Sequence, residues 1–442
     1  MKRELIEKLI AWKQNPRRKP LILKGTRQVG KTYLLKHFGE QHFPRFFYVN
    51  FEKQPDLMGI FERDYNPARL LTELSFHFKQ QINAQQDLLI FDEIQACPKA
   101  ITSLKYFAED MPELALCAVG SLLGIYLNSE SFPVGKVEWL NMYPLTFKEF
   151  LWGIGENQLA DHLESIHIST QIPRLAHQQL WEQLKIYFIV GGLPEVVVQY
   201  NMSKGALYDA FHQVRETQNN LIKDYYADIA KHSGKVNAMH IDRVWRAVPA
   251  QLARVQDAST SRFKFKDIIS GIDRYSRLAN VIDWLINTGL LIKIHIVECA
   301  TLPLLAYTKE SLFKLCMFDV GILGAMSDLS PKIILDYDYG SYKGYFAENF
   351  VVQEFLASNV EHLYSWQRGT AEIEFLREIN GDIIPVEVKS GSVTHAKSLK
   401  VFSDKYQPPY QIILSAKSKE MDRKRKIYHL PLYLAGFLEK II

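Results

Sequence analysis

The tightest constraint on this chain is a loop of eight residues. A short apolar strand, KPLILK (19–24), runs directly into Gly25-Thr26-Arg27-Gln28-Val29-Gly30-Lys31-Thr32, and YLLKHF (33–38) continues as a helix. The pattern G-x-x-x-x-G-K-[ST] carries a mechanism only between a strand and a helix, and both flanks are present. Its two glycines let backbone N–H groups curl around an anion, while the following helix turns its positive end towards it. Lys31 is placed to reach the β- and γ-phosphates of a nucleotide, and Thr32 to ligate Mg²⁺. A nucleotide with Mg²⁺ is the expected ligand, in an α/β domain built on a parallel sheet.

An independent feature further on agrees. FFYVNF (46–51) reads as a second strand, a helical stretch follows from Pro67 to about Ile82, and LLIF (88–91) ends in Asp92-Glu93. Four apolar residues followed by two acids describe a buried parallel strand whose carboxyl end delivers a metal carboxylate. Asp92 is expected in the Mg²⁺ shell and Glu93 beside the attacking water, an arrangement that favours hydrolysis over binding alone. A third strand, LALCAVGS (114–121), places Ser121 to sense the γ-phosphate.

These residues resemble a known family. GTRQVGKT, FDEIQACPKAITSLKYFAED (91–110), the strand ending in VGS and GKVEWLNMYPLTFKEF (135–150) are similar to bacterial and archaeal AAA-type ATPases whose C-terminal half is a domain of unknown function numbered 4143. GGLPEVV (191–197) and FKLCMFDVGILGAM (313–326) extend the resemblance over nearly the whole chain. It implies ATP hydrolysis by Lys31, Thr32, Asp92 and Glu93. The family usually carries arginine where this chain has Lys136, which keeps the charge and loses the planar fork.

With 442 residues there is room for about three domains. A content of 47% hydrophobic and 23% charged residues excludes a disordered or collagen-like chain. The four cysteines form no CxxC pair and read as reduced thiols. The N-terminal stretch has apolar Leu5, Leu9 and Trp12 interrupted by charges, an amphipathic helix rather than a signal peptide. No apolar run reaches the roughly 18–20 residues of a membrane span. A cytoplasmic protein without membrane contact is expected.

From Leu151 to about Tyr226 the pattern is helical, broken at Gly191-Gly192-Leu193-Pro194. Leu278, Val281, Ile282 and Leu285 then repeat at helical spacing before Gly289 and the strand LLIKIHIVE (290–298). Helices followed by a β-ribbon suggest a winged-helix-like region. Residues 242–277 hold eight basic side chains against four acids, a local excess equal to the formal charge of +4 on the whole chain. Phosphate contacts need such clustering, and solvated helix faces account for it equally well.

Near the C-terminus lies AEIEFLREINGDIIPVEVKSG (371–391). Asn380-Gly381 between two strand-like runs is the strongest short hairpin signal, with a two-residue type I′ turn. That turn sets Ile379 opposite Asp382, hence Glu374 opposite Glu387 and Glu372 opposite Lys389, with all four on one face. Directly opposed carboxylates repel, and a divalent cation between them would remove the penalty. Lys389 is then positioned to orient a water or stabilise developing charge. Glu348, on the apolar stripe of an upstream helix with Val351, Val352 and Phe355, is expected at the same site. Helix, three strands, helix, strand resembles the PD-(D/E)XK nuclease core, although that family usually has aspartate where Glu374 stands. The rival reading is a surface ion pair on a degenerate nuclease fold.

The expected organisation is an AAA-type P-loop core (1–150), a helical lid or connector (151–230), a winged-helix-like domain (231–335) and a PD-(D/E)XK-like α/β domain (336–442). Three functions follow: an ATP-coupled nuclease, a nucleotide-gated DNA-binding switch with a silent C-terminal fold, and a signalling ATPase that self-associates.

Overall fold

Strands that are buried on both faces read as near-continuous apolar runs, and here ALCAVG (115–120) is apolar throughout while LILK (21–24) and LLIFD (88–92) depart only at their last residue. In the computed structural model, which describes residues 1–120, 132–254, 262–335, 343–389 and 397–442, the chain divides into two compact units. One spans Lys2–Tyr143 and the other Pro144–Ile442.

The first unit is a five-stranded parallel sheet. Its strands are β1 (Leu21–Lys24), β2 (Phe46–Asn50), β3 (Leu88–Asp92), β4 (Ala115–Gly120) and β5 (Glu138–Asn141), in the order β2-β3-β4-β1-β5. Every residue of β3 and β4 is buried, whereas the edge strand β5 alternates. Helices α1 (Leu5–Gln14), α2 (Lys31–His42), α3 (Pro67–Phe78) and α4 (Pro98–Asp110) connect or precede the strands. Leu9 and Trp12 on α1 are buried as their spacing requires. Phe51, Phe61, Phe91 and Phe107 pack edge to face in the core. Because β4 lies between β3 and β1, the loop after β1 and the acids ending β3 emerge from the same end of the sheet, one strand apart.

The second unit begins with helices α5 (Phe147–Gly153), α6 (Asn157–Glu164), α7 (Arg174–Val190), α8 (Pro194–Ser203), α9 (Leu207–Ser233), α10 (Lys235–Arg254) and α11 (Tyr275–Asn287). The expected break falls between α7 and α8. Gly191 has φ 76°, and an added Cβ there would meet Asp319 Oδ1 at 2.3 Å. Asp319 accepts from Gly192 N at 2.6 Å and caps α12 (Val320–Met326) by accepting from Ile322 N at 2.9 Å. Burial pushes its carboxyl up to about 6 against those backbone donors.

After α11 come β6 (Leu291–Val297) and β7 (Thr308–Met317), then α12, α13 (Pro331–Leu335), α14 (Lys343–Ala357), β8 (Leu363–Arg368), β9 (Ala371–Ile379), β10 (Asp382–Val388), α15 (Lys397–Tyr406), β11 (Gln411–Ser415), β12 (Glu420–Asp422), β13 (Ile427–Pro431) and α16 (Leu438–Ile441). All eight strands form one sheet, ordered β12-β13-β11-β10-β9-β8-β6-β7. The ribbon β6–β7, read from sequence as the wing of a separate region, is thus continuous with the C-terminal hairpin. Strand β6 pairs in parallel with β8, from Ile294 with Leu363 to Val297 with Trp366. Such pairing between distant segments leaves no local sequence mark.

Candidate active sites at the two sheets

The phosphate loop forms as its glycines allow. Gln28 and Gly30 take positive φ of 65° and 95°, and Gly30 caps α2. Gly25 has no space for a side chain, since a Cβ there would lie 2.2 Å from the Met142 carbonyl oxygen. Lys31 is buried, and its Nζ donates to the carbonyls of Gly25 (2.8 Å) and Thr26 (2.7 Å). The loop lysine therefore satisfies itself on its own backbone.

At the end of β3, Asp92 is held from three sides. Its Oδ2 accepts from Thr32 Oγ1 at 2.9 Å and from the Tyr48 hydroxyl at 2.6 Å, while Oδ1 accepts from Glu93 N at 2.9 Å. Thr32 and Asp92, some sixty positions apart in sequence, are the hydroxyl and carboxylate pair that suits a phosphate-bound Mg²⁺. Glu93 follows in the left-handed region, φ 48°, a conformation costly for a residue with a Cβ and concentrated at functional sites. Gln95 Nε2 donates to Glu93 Oε2 at 2.5 Å. Burial raises the Glu93 carboxyl above its ordinary range; Gln95 opposes this, Asp92 adds to it and Arg27 opposes it. Tyr48 was not singled out in the sequence, because a lone tyrosine on a strand carries no spacing signal, and Gln95 entered there only within the family-like stretch 91–110. Ser121 lies outside the described residues. Lys136 pairs with Glu109 at 2.9 Å.

In the second unit the hairpin has the expected register. Asn380 and Gly381 adopt φ of 53° and 84°, and pairing runs from Asp382–Ile379 to Val386–Phe375. The expected side chains do converge. Lys389 Nζ lies 2.6 Å from Glu387 Oε1 and 3.8 Å from Glu374 Oε1, and Glu374 Oε2 accepts from Val388 N at 3.3 Å. Glu348, on α14, joins through a cation absent from the sequence reading. The buried Lys314 of β7 forms a close ion pair with Glu372 and lies 3.9 Å from Glu348 Oε2. Glu372 therefore meets Lys314, and Lys389 meets the other two hairpin carboxylates.

Burial and neighbouring charge together set the protonation of this cluster. Lost hydration pushes Glu348 up to about 7; Lys314 pulls it back, and Glu374 and Glu372 push further. Glu374 rises well above its ordinary value, first by burial and then by Glu387. Burial pulls Lys314 down, but Glu372 and Glu348 outweigh it and hold the ammonium above the ordinary lysine value. One oxygen, Glu387 Oε2, is buried with no hydrogen-bond partner among the described residues. Among the described residues, no group of three or more His, Cys, Asp or Glu side chains is arranged to hold a metal ion. Here the lysines stand among the carboxylates, so the present arrangement does not itself fit the expected ion. Among the described residues, no helix is long and apolar enough to cross a membrane.

Comparison with solved structures finds the Walker-type ATPase paby2304 of Pyrococcus abyssi at 15% identity and TM-score 0.45, over 73% of this chain and 94% of that one. PCH-2 of C. elegans aligns at 10% identity and TM-score 0.30, over 48% and 67%. RuvB of Thermotoga maritima, titled a Holliday junction branch migration motor, aligns at 17% identity and TM-score 0.31, over 66% and 89%. No curated protein matches the chain. Residues 17–151 match the AAA domain model, 181–333 a domain of unknown function (DUF8612) and 343–434 another (DUF4143). By these matches the chain carries an AAA-type P-loop ATPase domain, with a DUF4143 domain towards its C-terminus.

Proposed function

We propose that the chain binds and hydrolyses ATP at Gly25–Thr32, Asp92 and Glu93, and that turnover serves an event on DNA. The carrying observation is the Thr32–Asp92 hydrogen bond with Glu93 next in line. Mg²⁺ bound by Thr32 and Asp92 would neutralise phosphate charge. Lys31, once released from its own loop carbonyls, binds the β- and γ-phosphates. Glu93 orients the attacking water and accepts its proton, and its raised pKa strengthens it as a base. Glu93→Gln should leave nucleotide binding intact and lower ATP turnover; unchanged turnover sinks the assignment.

For the C-terminal cluster, internal neutralisation by Lys314 and Lys389 favours a nuclease-like fold that no longer cuts. The unpartnered Glu387 Oε2 favours the other reading, metal-dependent cleavage using Glu374, Glu387 and Lys389 with Glu348 nearby. Linear, circular and single-stranded DNA incubated with Mg²⁺ or Mn²⁺, with and without ATP, separates the two. Cutting that disappears in Glu387→Ala supports cleavage, and no cutting under any condition supports the silent fold.

A further inference from the structure

The positive charge concentrated at 242–277 is gathered around one pocket of about 520 Å³ in the second unit. Arg243, Arg246, Arg254, Arg262, Lys264 and Lys266 line it. Two different periodicities build its walls. Along α10, Arg243, Ala250 and Arg254 recur at helical spacing on the exposed side, while Val244, Trp245 and Val248 bury the opposite side. Ala247 and Ala250 keep the floor low between the arginines.

The facing wall alternates instead. Phe263 is buried and stacks on Phe313, and Phe265 packs edge-on against the same ring, so Arg262, Lys264 and Lys266 are left exposed. Gln251 of α10 clamps the walls together. Its Nε2 donates to Lys264 O at 2.7 Å, and its Oε1 accepts from Lys264 N at 2.8 Å. On the far side Phe263 N donates to Phe313 O at 2.9 Å. The two basic rows are thereby held at a fixed separation, and Asp242 steadies Arg246 at 2.8 Å.

We propose that this pocket binds the phosphodiester backbone of DNA without reading its bases. The inference rests on the DNA reading above and names the surface that carries it. Among the described lining residues six cations face one acid, Asp267, and four of the six are arginines, whose fork matches phosphate oxygens. Among the described residues no aromatic side chain lines the pocket, so they offer no stacking platform for a base. Small-molecule pockets are mostly lined by hydrophobic and aromatic side chains, and this one is ringed by charge. Backbone contact of this kind is sequence-independent and steeply salt-dependent.

The test titrates the full chain against a fluorescently labelled duplex of about 20 base pairs, without ATP and in EDTA, between about 50 and 200 mM salt. The double variant Arg254→Gln/Lys264→Gln should weaken binding about tenfold and flatten the log–log salt slope by about two. Ala250→Glu, which removes no cation, should weaken binding as well. ATP turnover and melting temperature should stay at wild-type values in both. Wild-type binding that neither variant changes overturns the pocket while the DNA reading stands. Absence of wild-type binding at the lowest salt overturns both. Equal affinity and slope for polyglutamate would assign the pocket to a carboxylate-bearing partner and overturn the phosphate assignment.

Discussion

The two carboxylate clusters are built from similar residue types and are satisfied in opposite ways. At the end of β3, Asp92 takes its hydrogen bonds from two hydroxyls and a backbone amide, all neutral donors. On the hairpin, Glu372, Glu374 and Glu387 take theirs largely from two ammonium groups. Neutral donors orient a carboxylate and leave its charge available to a cation. Ammonium partners cancel that charge in place. The difference teaches that in this chain uncharged donors leave the strand-end acid able to meet a cation, whereas ammonium partners already neutralise the hairpin acids.

The largest effect that could break this contrast is catalytic. Glu93→Gln should reduce ATP turnover by about two to three orders of magnitude at unchanged nucleotide affinity, measured by phosphate release and by nucleotide titration. Lys314→Met comes next. Removing a buried cation from its partner carboxylates should cost about 3–5 kcal/mol, read by denaturant unfolding. Mn²⁺ should then stabilise the variant more than wild type; equal stabilisation of both would mean that Lys314 does not stand in for a cation.

A smaller effect concerns pH. Asp319 holds its proton up to about 6, above the ordinary carboxylate value of 3.8. The native state therefore binds the proton more tightly than the unfolded chain, and this group's contribution to stability falls as pH rises from about 4 to about 6, then stays level. The change should be about 2–3 kcal/mol, and Asp319→Asn should flatten that part of the curve, followed by chemical denaturation across the range. Smallest of all, Lys136→Ala should leave the melting temperature unmoved, because its pairing with Glu109 is solvent-exposed. A clear loss of ATP turnover in that variant would instead place Lys136 at the nucleotide.

How legible each feature was follows from the range of the forces that specify it. The loop at Gly25–Thr32 and the turn at Asn380-Gly381 are local, since their glycines and neighbours dictate φ within a few residues. From the turn alone the register follows, and with it the meeting of Glu374, Glu387 and Lys389. Lys314 could not be found this way. It reaches Glu372 from a strand read as part of another domain, and which strand joins a sheet in parallel depends on contacts between distant segments. Tyr48 has the same history, because β2 lies beside β3 only through a parallel pairing across α3.

The parallel seam between β6 and β8 has a consequence for cutting the chain. A fragment ending at residue 335 would retain β6 with one edge stripped of its partner, and a fragment starting at 336 would bare the matching edge of β8. Each exposed edge is a template for pairing with another chain. The two pieces should therefore be recovered as aggregates when made separately and as a soluble complex when co-expressed, with the seam acting as the recognition surface that brings them back together.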